Sequence, residues 1–295
     1  MSSEDFKVTI LITGANGQLA NELKIISAQY TSNHFLFTTK EELPIENSKM
    51  LELFFEKNRI DYCINCAAYT AVDKAESEKE KVFLINGDAV GGLANICSIH
   101  KVKLIHISTD YVYDGNSKIP LREESDLDPV NIYGSSKMKG EELALSKNPA
   151  TLIIRTSWVY SSFGNNFVKT MLRLFKEKSE INVINDQLGS PTYAADLAEV
   201  IMKFVEKMKQ GNDFSGIVNY CNAGVTTWYD FANEIKVLAK SGCKINPIPT
   251  SSYKTAARRP LYSVLDTSKI KGLLHLEIPA WKDSLEKCIK LLNVV

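Results

Sequence analysis

Three residues near the middle of the chain have types and spacing that suit chemistry on a carbonyl group. Thr109 follows an apolar run, and Tyr133 and Lys137 come later with three residues between them. That separation is about one helical turn, so the two side chains would share a helix face. The lysine could lower the tyrosine pKa, and the threonine could donate to a substrate oxygen that becomes negative. We therefore predict Thr109, Tyr133 and Lys137 as catalytic residues in carbonyl reduction.

A tyrosine and a lysine at this spacing also occur on many solvated helices, so the prediction depends on what surrounds them. The run Lys7–Thr13 is β-branched and apolar, and a turn containing Gly14 and Gly17 leads from it into a helical pattern. Strand, glycine turn and helix form the context of a dinucleotide fingerprint. The glycines let the backbone approach a pyrophosphate, and the helix N-terminus offers N–H groups to it. Both glycines are thus predicted to bind a cofactor, although glycines alone also serve ordinary tight turns.

The end of the second strand bears on which cofactor is used. Phe35–Phe37 is strand-like and is followed by Thr38-Thr39-Lys40. Proteins that prefer NAD usually carry an acidic residue at this place, to bind the ribose hydroxyl. Hydroxyl and basic side chains favour a 2′-phosphate, so NADPH is the expected cofactor and NADH stays open. A solvated Lys40 with no ligand is an equally good interpretation of the charge.

Strand-like and helical runs alternate through the first half of the chain. This alternation predicts an α/β fold with a Rossmann-type, doubly wound parallel sheet. Residues 1–160 are expected to form the NAD(P)-binding domain. Residues 161–295 would form mainly a smaller α/β substrate-binding region, with some segments returning to the first domain. Small residues after the third strand, at Ala67 and Ala68, would let the chain pass close to the adenosine of the cofactor, beside Tyr69.

Composition excludes several classes of protein. The 295 residues include 35 basic and 35 acidic side chains, and 44% are hydrophobic. Balanced charge gives no overall field to attract nucleic acid or an anionic membrane, and no uninterrupted apolar run reaches the ~20 residues of a membrane span. The first residues, Met1–Asp5, are polar and acidic, unlike a secretory signal. We expect a cytoplasmic protein that binds neither nucleic acid nor membrane.

The cysteines and histidines are expected to be structural. Cys63 and Cys66 have the spacing of a redox motif but lie in a strand-like run, so two buried small side chains are the favoured interpretation over a reactive pair. The histidines are too scattered to suggest a zinc site. Asp73 and Glu76 could suggest a metal, but a charged helix entry fits them better. No metal is therefore predicted.

Longer motifs resemble a known family. Four segments resemble the extended short-chain dehydrogenase/reductases: Gly14-Ala-Asn-Gly-Gln-Leu19, Asn65-Cys-Ala-Ala-Tyr-Thr70, Ser108-Thr-Asp-Tyr-Val-Tyr113 and Tyr133 with Lys137. Four others are similar to the dTDP-4-dehydrorhamnose reductase family in particular: Ala71-Val-Asp-Lys-Ala-Glu76, Arg155-Thr-Ser-Trp-Val-Tyr160, Asn165-Asn-Phe167 and Val183-Ile-Asn-Asp-Gln187. The matches cover nearly the whole chain in the same order.

The resemblance implies a reaction and a set of roles. The reaction would be NAD(P)H-dependent reduction of the C4 keto group of dTDP-6-deoxy-L-lyxo-4-hexulose to dTDP-L-rhamnose, a step in cell-surface polysaccharide biosynthesis. Tyr133 would donate the proton, Lys137 would orient the cofactor, and Thr109 would polarise the carbonyl. The other residues implied for cofactor binding are Gly17, Gln18, Leu19, Ala68 and Tyr69. Those implied for the dTDP-sugar are Thr70, Asp110, Tyr111, Trp158 and Arg259, the last facing the diphosphate.

Three alternatives stay open at this stage. The chain could be an epimerase or dehydratase of the same extended family, which recycles its NAD. However, dehydratases carry an Asp-Glu pair after the threonine, whereas Tyr111 follows Asp110 here. It could instead be a non-catalytic cofactor-binding subunit, as the beta subunit of methionine adenosyltransferase is. Trp158 could also be ordinary core rather than a surface for sugar stacking, and a homodimer is possible without any sequence feature that supports it.

Overall fold

The computed structural model describes residues 8–292, and Lys7 and the segment Met1–Asp5 lie outside that range. Twelve strands occur in the described part of the chain: β1 (Val8–Thr13), β2 (Asn33–Thr38), β3 (Tyr62–Asn65), β4 (Lys103–Thr109), β5 (Leu152–Thr156), β6 (Val159–Tyr160), β7 (Glu180–Ile184), β8 (Leu188–Gly189), β9 (Thr192–Tyr193), β10 (Gly216–Asn219), β11 (Thr226–Thr227) and β12 (Lys244–Ile248). The helices between them are α1 (Gln18–Ile26), α2 (Ser48–Lys57), α3 (Val72–Ala75), α4 (Lys79–Phe83), α5 (Ala89–Ile99), α6 (Ile132–Lys147), α7 (Phe167–Glu177), α8 (Ala194–Lys209), α9 (Trp228–Leu238), α10 (Ser268–Leu274) and α11 (Trp281–Leu291).

Six strands form the central sheet, in the order β10-β5-β4-β3-β1-β2. Every neighbouring pair is parallel, so the predicted doubly wound parallel sheet is confirmed. The strand order changes direction between β1 and β3. Ligands in such sheets bind outside the carboxyl ends of the strands at this point.

Apolar side chains of β1 alternate between the two faces of the sheet because successive strand residues point in opposite directions. Ile10 and Ile12 pack into the core beneath α1 and α8, whereas Leu11 packs into the core beneath α2 and α5. The same geometry separates two cysteines. Cys63 belongs to the second core and is buried as predicted, whereas Cys66 is only partly buried and lies against the first core.

One long, apolar helix contains an irregular turn. It runs over Lys79–Ile99, with a π-helical turn at Leu84–Asp88 between α4 and α5. By length and composition it could cross a membrane, and 61% of its most apolar window is buried inside the fold. α2 and α6 cover this helix, so its apolar surface forms part of the core.

Segments from the second half of the chain both complete the sheet and build a separate cluster. β10 pairs with β5, and α8 packs against α1. Two short parallel pairs, β6 with β9 and β7 with β12, and an antiparallel pair, β8 with β11, lie outside the main sheet. They surround an apolar cluster with α7, α9 and α11. The division at residue 160 stays a prediction.

Candidate active site

A cleft of about 940 Å³ opens at the carboxyl edge of the central sheet. It brings together the glycine turn after β1, the loop after β3, the end of β4 and the start of α6. All predicted site residues except one line it: Gly14, Gly17, Gln18, Leu19, Ala67, Ala68, Tyr69, Thr70, Thr109, Asp110, Tyr111, Tyr133, Lys137 and Trp158. Arg259 is the exception and is described below.

The glycine turn fits a close approach of two backbone segments. Gly14 has φ +69°, and a Cβ there would come within 2.8 Å of the Cα of Ala67. The N–H of Gly17 donates to the carbonyl oxygen of Gly14 at 2.9 Å, and Gly17 is the N-cap of α1. No acidic residue lies in the first turn of α1. The helix therefore offers its N-terminal N–H groups and positive dipole to an anion in the cleft.

Gln18 joins the glycine turn to the second half of the chain. Its Oε1 accepts a hydrogen bond of 2.8 Å from Nδ2 of Asn166. Asn166 also caps α7, because its Oδ1 accepts from the N–H of Lys169 at 3.1 Å. Asn166 thus holds the first turn of α7 and the glycine turn together. The sequence pattern gives the α7 cap but gives no sign of the partner on α1.

The end of β2 divides into a structural and an exposed part. Thr38 is buried and donates to the carbonyl oxygen of Ile12 at 3.3 Å. Lys40 lines the cleft, its side chain is 61% exposed, and it lies 3.8 Å from Glu46. An exposed ion pair of this length contributes little, so Lys40 is available to a phosphate group.

The loop after β3 is held by a buried asparagine on the π-helical turn. Asn86 accepts from the N–H of Tyr69 at 2.8 Å and donates to the carbonyl oxygen of Tyr69 at 3.0 Å. It also donates to the hydroxyl of Ser136 on α6 at 3.1 Å. The π turn brings Asn86 to both elements, as such turns often do at functional sites. Asn86 therefore fixes the loop after β3 relative to α6, the helix that carries Tyr133.

Thr109 and Tyr133 lie at the centre of the cleft. The Thr109 hydroxyl donates to Oδ1 of Asp110 at 3.0 Å and accepts from the N–H of Tyr111 at 3.2 Å. Burial raises the pKa of Tyr133 to about 12, although a hydrogen bond with Thr109 acts in the opposite direction. Burial also raises the pKa of Asp110 to about 7. Tyr133 is therefore protonated at neutral pH and has a proton to give.

Lys137 does not lower the Tyr133 pKa in the ligand-free protein, contrary to the expectation from sequence. Its Nζ donates to the carbonyl oxygen of Ile107 at 2.7 Å and lies 3.1 Å from Nε2 of His106. Burial lowers the pKa of Lys137 to about 8. The amino group of Lys137 is turned toward β4. Burial of the phenol therefore has the largest effect on the Tyr133 pKa.

Two tryptophans form one wall of the cleft. Trp158 has φ +49° and stacks on Trp228, with ring centroids 3.6 Å apart and planes at 9°. A Cβ at Gly189 would come within 2.6 Å of the Trp158 indole. A bulky residue at positive φ has a strained backbone, and residues with such backbone strain are often found at functional sites. No sequence pattern marks Trp228 as part of this wall, because it is remote in sequence from its stacking partner Trp158.

Arg259 pairs with an acidic residue and does not line the cleft. Its guanidinium bonds Asp73, with 2.7 Å between Nη2 and Oδ2. Hydrogen bonding to Arg259 lowers the Asp73 pKa. Glu76 accepts from the N–H of Ile132 at 2.9 Å, at the start of α6. These carboxylates thus serve an ion pair and a helix end, and no cluster of three or more metal-ligating side chains occurs within residues 8–292.

The fold and cleft define an extended short-chain dehydrogenase/reductase. The family model for the RmlD substrate binding domain matches residues 8–294. The chain belongs to this family.

Curated relatives agree over nearly the full length of the chain. The dTDP-4-dehydrorhamnose reductase of Aggregatibacter actinomycetemcomitans is 37% identical over 285 residues, which is 94% of this chain and 97% of that protein. A spore coat polysaccharide biosynthesis protein of Bacillus subtilis is 39% identical over 283 residues, covering 95% and 96%.

Solved structures are similar in fold as well. A dTDP-4-dehydrorhamnose reductase from Bacillus anthracis, in complex with NADP, has a TM-score of 0.92 and 36% identity, with 97% of this chain and 100% of that chain covered. A dTDP-4-dehydrorhamnose reductase from Clostridium acetobutylicum has the same TM-score of 0.92 at 37% identity, with the same coverage of 97% and 100%.

Proposed function

We propose that this protein reduces the C4 keto group of dTDP-4-dehydro-L-rhamnose to give dTDP-L-rhamnose, with NADPH as the cofactor. The observation that carries the proposal is that Thr109, Tyr133 and Lys137 line the same cleft as the glycine turn. Relatives named for this reaction match 94% and 95% of the chain, and the Bacillus anthracis relative was solved in complex with NADP.

The residues of the cleft fit a dinucleotide. The Gly14 turn leaves backbone rather than side chains beside the N-terminus of α1. Gly17, Gln18 and Leu19 would hold the pyrophosphate, and Ala67, Ala68 and Tyr69 would border the adenosine. Lys40 is placed to meet a 2′-phosphate. When bound, NADPH supplies the hydride.

The chain's own residues would then handle the proton and the developing charge. Tyr133 is protonated below a pKa of about 12 and gives its proton to the sugar oxygen. Thr109 has one hydroxyl hydrogen, which it now donates to Asp110. To donate to the sugar oxygen, it must exchange that bond for the new one. Donation from both residues stabilises the alkoxide as it forms.

The other half of the site would hold the dTDP-sugar. Asp110, Tyr111 and Thr70 border the space beside Tyr133, and the Trp158–Trp228 stack offers an aromatic surface to a sugar. Arg259 would reach the diphosphate only by leaving Asp73.

A soluble, cytoplasmic homodimer is also part of the proposal. Light scattering of the purified protein would test the dimer.

Two other functions are less well supported. A dehydratase would need a second carboxylate after Asp110, and that place is taken by Tyr111, whose N–H is bound by Thr109. A regulatory subunit has no need for a complete set of reductive residues in its cleft, whereas all three line it here.

Consumption of the cofactor distinguishes these functions. The purified protein is mixed with NADPH and dTDP-4-dehydro-L-rhamnose, and NADPH oxidation is followed by absorbance while the product is identified by NMR. We expect one NADPH oxidised for each dTDP-L-rhamnose formed. The matched control is the same 4-keto sugar linked to UDP. Turnover of the sugar without net oxidation of NADPH would contradict the proposal.

A further inference from the structure

A buried histidine lies behind the catalytic lysine and has no place in the reaction described above. His106 is on β4, and none of its surface is exposed. Its Nε2 lies 3.1 Å from Nζ of Lys137, and its Nδ1 lies 3.0 Å from Nδ2 of Asn65 on β3. Lys137 and Asn65 are each 1% exposed. Asn65, His106 and Lys137 thus form a buried row. Each polar hydrogen in this row must point at a protein acceptor.

The position of hydrogens in the row is fixed at its Asn65 end. The backbone N–H of Ala67 lies 3.2 Å from Oδ1 of Asn65, and the hydroxyl of Thr13 lies 2.6 Å from the same atom. A backbone N–H can only donate, so this atom of Asn65 has to be the oxygen. The amide nitrogen of Asn65 then faces His106, and it donates to Nδ1.

This arrangement decides which nitrogen of His106 carries the proton. Burial and the neighbouring Lys137 lower the pKa of His106, so the ring is neutral. A neutral imidazole has one N–H and one lone pair. Since Nδ1 accepts from Asn65, the proton is on Nε2 and points at Lys137.

An ammonium group cannot accept that hydrogen, because it has three donors and no lone pair. A neutral amine can accept from His106 while donating to the carbonyl oxygen of Ile107. The other charge near Lys137 is Glu141, one turn along α6, which favours the ammonium. Its carboxylate is held by Arg155 at 2.6 Å, and both side chains are buried. The phenol of Tyr133, on the same helix face, is neutral.

We propose that His106 is a positioning residue that donates from Nε2 to Lys137 and stabilises its neutral amine. Lys137 is then a group that changes protonation near the working pH, and not a permanent cation. When it is protonated, the histidine proton has to move to Nδ1, against the amide of Asn65. The consequence for turnover depends on the proposed reductase function, whereas the hydrogen-bond arrangement does not.

Nitrogen-15 NMR of histidine-labelled, ligand-free protein tests the arrangement directly. Above the Lys137 pKa of about 8, we expect His106 to show a protonated Nε2 and an unprotonated Nδ1. As the pH falls through that value and Lys137 gains a proton, the histidine proton should move to Nδ1. The signal is assigned by its loss in His106→Gln. A protonated Nδ1 or a doubly protonated ring above the Lys137 pKa, or a tautomer that does not change as Lys137 is protonated, would overturn the proposal.

Two substitutions test the effect on Lys137. Asn65→Asp keeps an oxygen for Ala67 and Thr13 but places a second oxygen against Nδ1, which draws the proton to Nδ1. His106→Gln can turn its amide oxygen toward an ammonium. In both variants, we expect the acid dissociation constant of Lys137 to fall at least about tenfold, one unit of pKa. Carbon-13 shifts of the labelled lysine Cε report it, with Lys137→Met as the assignment control.

Asn148→Asp is the matched control for the added carboxyl group. Asn148 is buried at the end of α6 and accepts from the N–H of Ala150, so this variant should leave the Lys137 titration unchanged. In assays of NADPH oxidation, the pH limb set by Lys137 should move upward in the two test variants only. An unchanged lysine titration in both contradicts the inference. Altered titration in a protein that never oxidises NADPH contradicts only the proposed function.

Discussion

At the scale of single residues, the protonation of Tyr133 is set mainly by burial. The phenol has a raised pKa, and the lysine one turn away faces β4. Reduction needs a protonated tyrosine, so this state suits the reaction. The role that sequence suggests for Lys137, support of a phenolate, would apply only after the proton has left.

Replacement of Tyr133 tests its role as proton donor. Tyr133→Phe removes the hydroxyl and keeps the ring against Tyr111, whose centroid is 5.8 Å away. We expect kcat to fall roughly 10²–10⁴-fold, while NADPH binding, followed by fluorescence, persists. Tyr69→Phe is the control, since it changes a hydroxyl at the other end of the cleft. Unchanged turnover in Tyr133→Phe would remove this residue from the mechanism.

Asp110 provides a pH test of stability in the ligand-free protein. It is 2% exposed, and burial raises its pKa to about 7. The native state therefore holds a proton that the unfolded chain has lost, and stability falls as pH rises toward that value. Asp110→Asn cannot ionise. Its stability relative to wild type should rise by on the order of 2 kcal/mol between about pH 5 and about pH 8.

Urea unfolding at the two pH values measures this difference. Asp126→Asn, at an exposed position in the long loop before α6, is the control, and its stability should differ from that of wild type by the same amount at both pH values. If the difference between Asp110→Asn and wild type were the same at both pH values, the carboxyl would not be a buried titrating group.

At the scale of elements, α6 is positioned by contacts on three sides. Its first turn is capped by Asn131, and Ser136 meets the π-helical turn through Asn86. Farther along, Glu141 pairs with Arg155 of β5. Tyr133 and Lys137 lie between these contacts, so the helix holds them at a fixed depth in the cleft.

Close packing of α6 on the π-helical turn gives a test at this scale. A Cβ at Gly140 would collide with the backbone oxygen of Asn86. We expect Gly140→Ala to destabilise the protein by roughly 1–3 kcal/mol. Gly92→Ala, at an exposed position of α5 where a Cβ meets nothing, should be neutral or stabilising by up to about 1 kcal/mol. Denaturant midpoints compare the two, and equal effects would contradict the packing argument.

At the scale of the whole molecule, the two halves of the chain share one sheet. β10 supplies the strand next to β5, and α8 covers the same face as α1. Gln18 and Asn166 add a polar link beside the cleft. The two halves of the chain are therefore joined through both the core and the cleft.

Removal of the second half tests this interdependence. A fragment of residues 1–160 would leave β5 as an open edge and expose the face that α8 covers. Such an edge and apolar surface favour aggregation. We expect the fragment to lack a cooperative thermal transition, whereas the full chain unfolds cooperatively. A fragment with a cooperative transition and native near-ultraviolet circular dichroism would contradict this prediction and support an independent first domain.

Sequence patterns alone predicted the parallel sheet, the glycine turn and the location of Thr109, Tyr133 and Lys137 at the edge of that sheet. These follow from local signals: strand and helix periodicities, and the rule that parallel strands end at the same edge. By contrast, the pairings between distant residues could be read only from the folded chain. Arg259 bonds Asp73, Trp158 stacks on Trp228, and His106 meets Lys137 because the fold brings their elements together. Burial then sets their protonation, and no periodicity in the sequence encodes it.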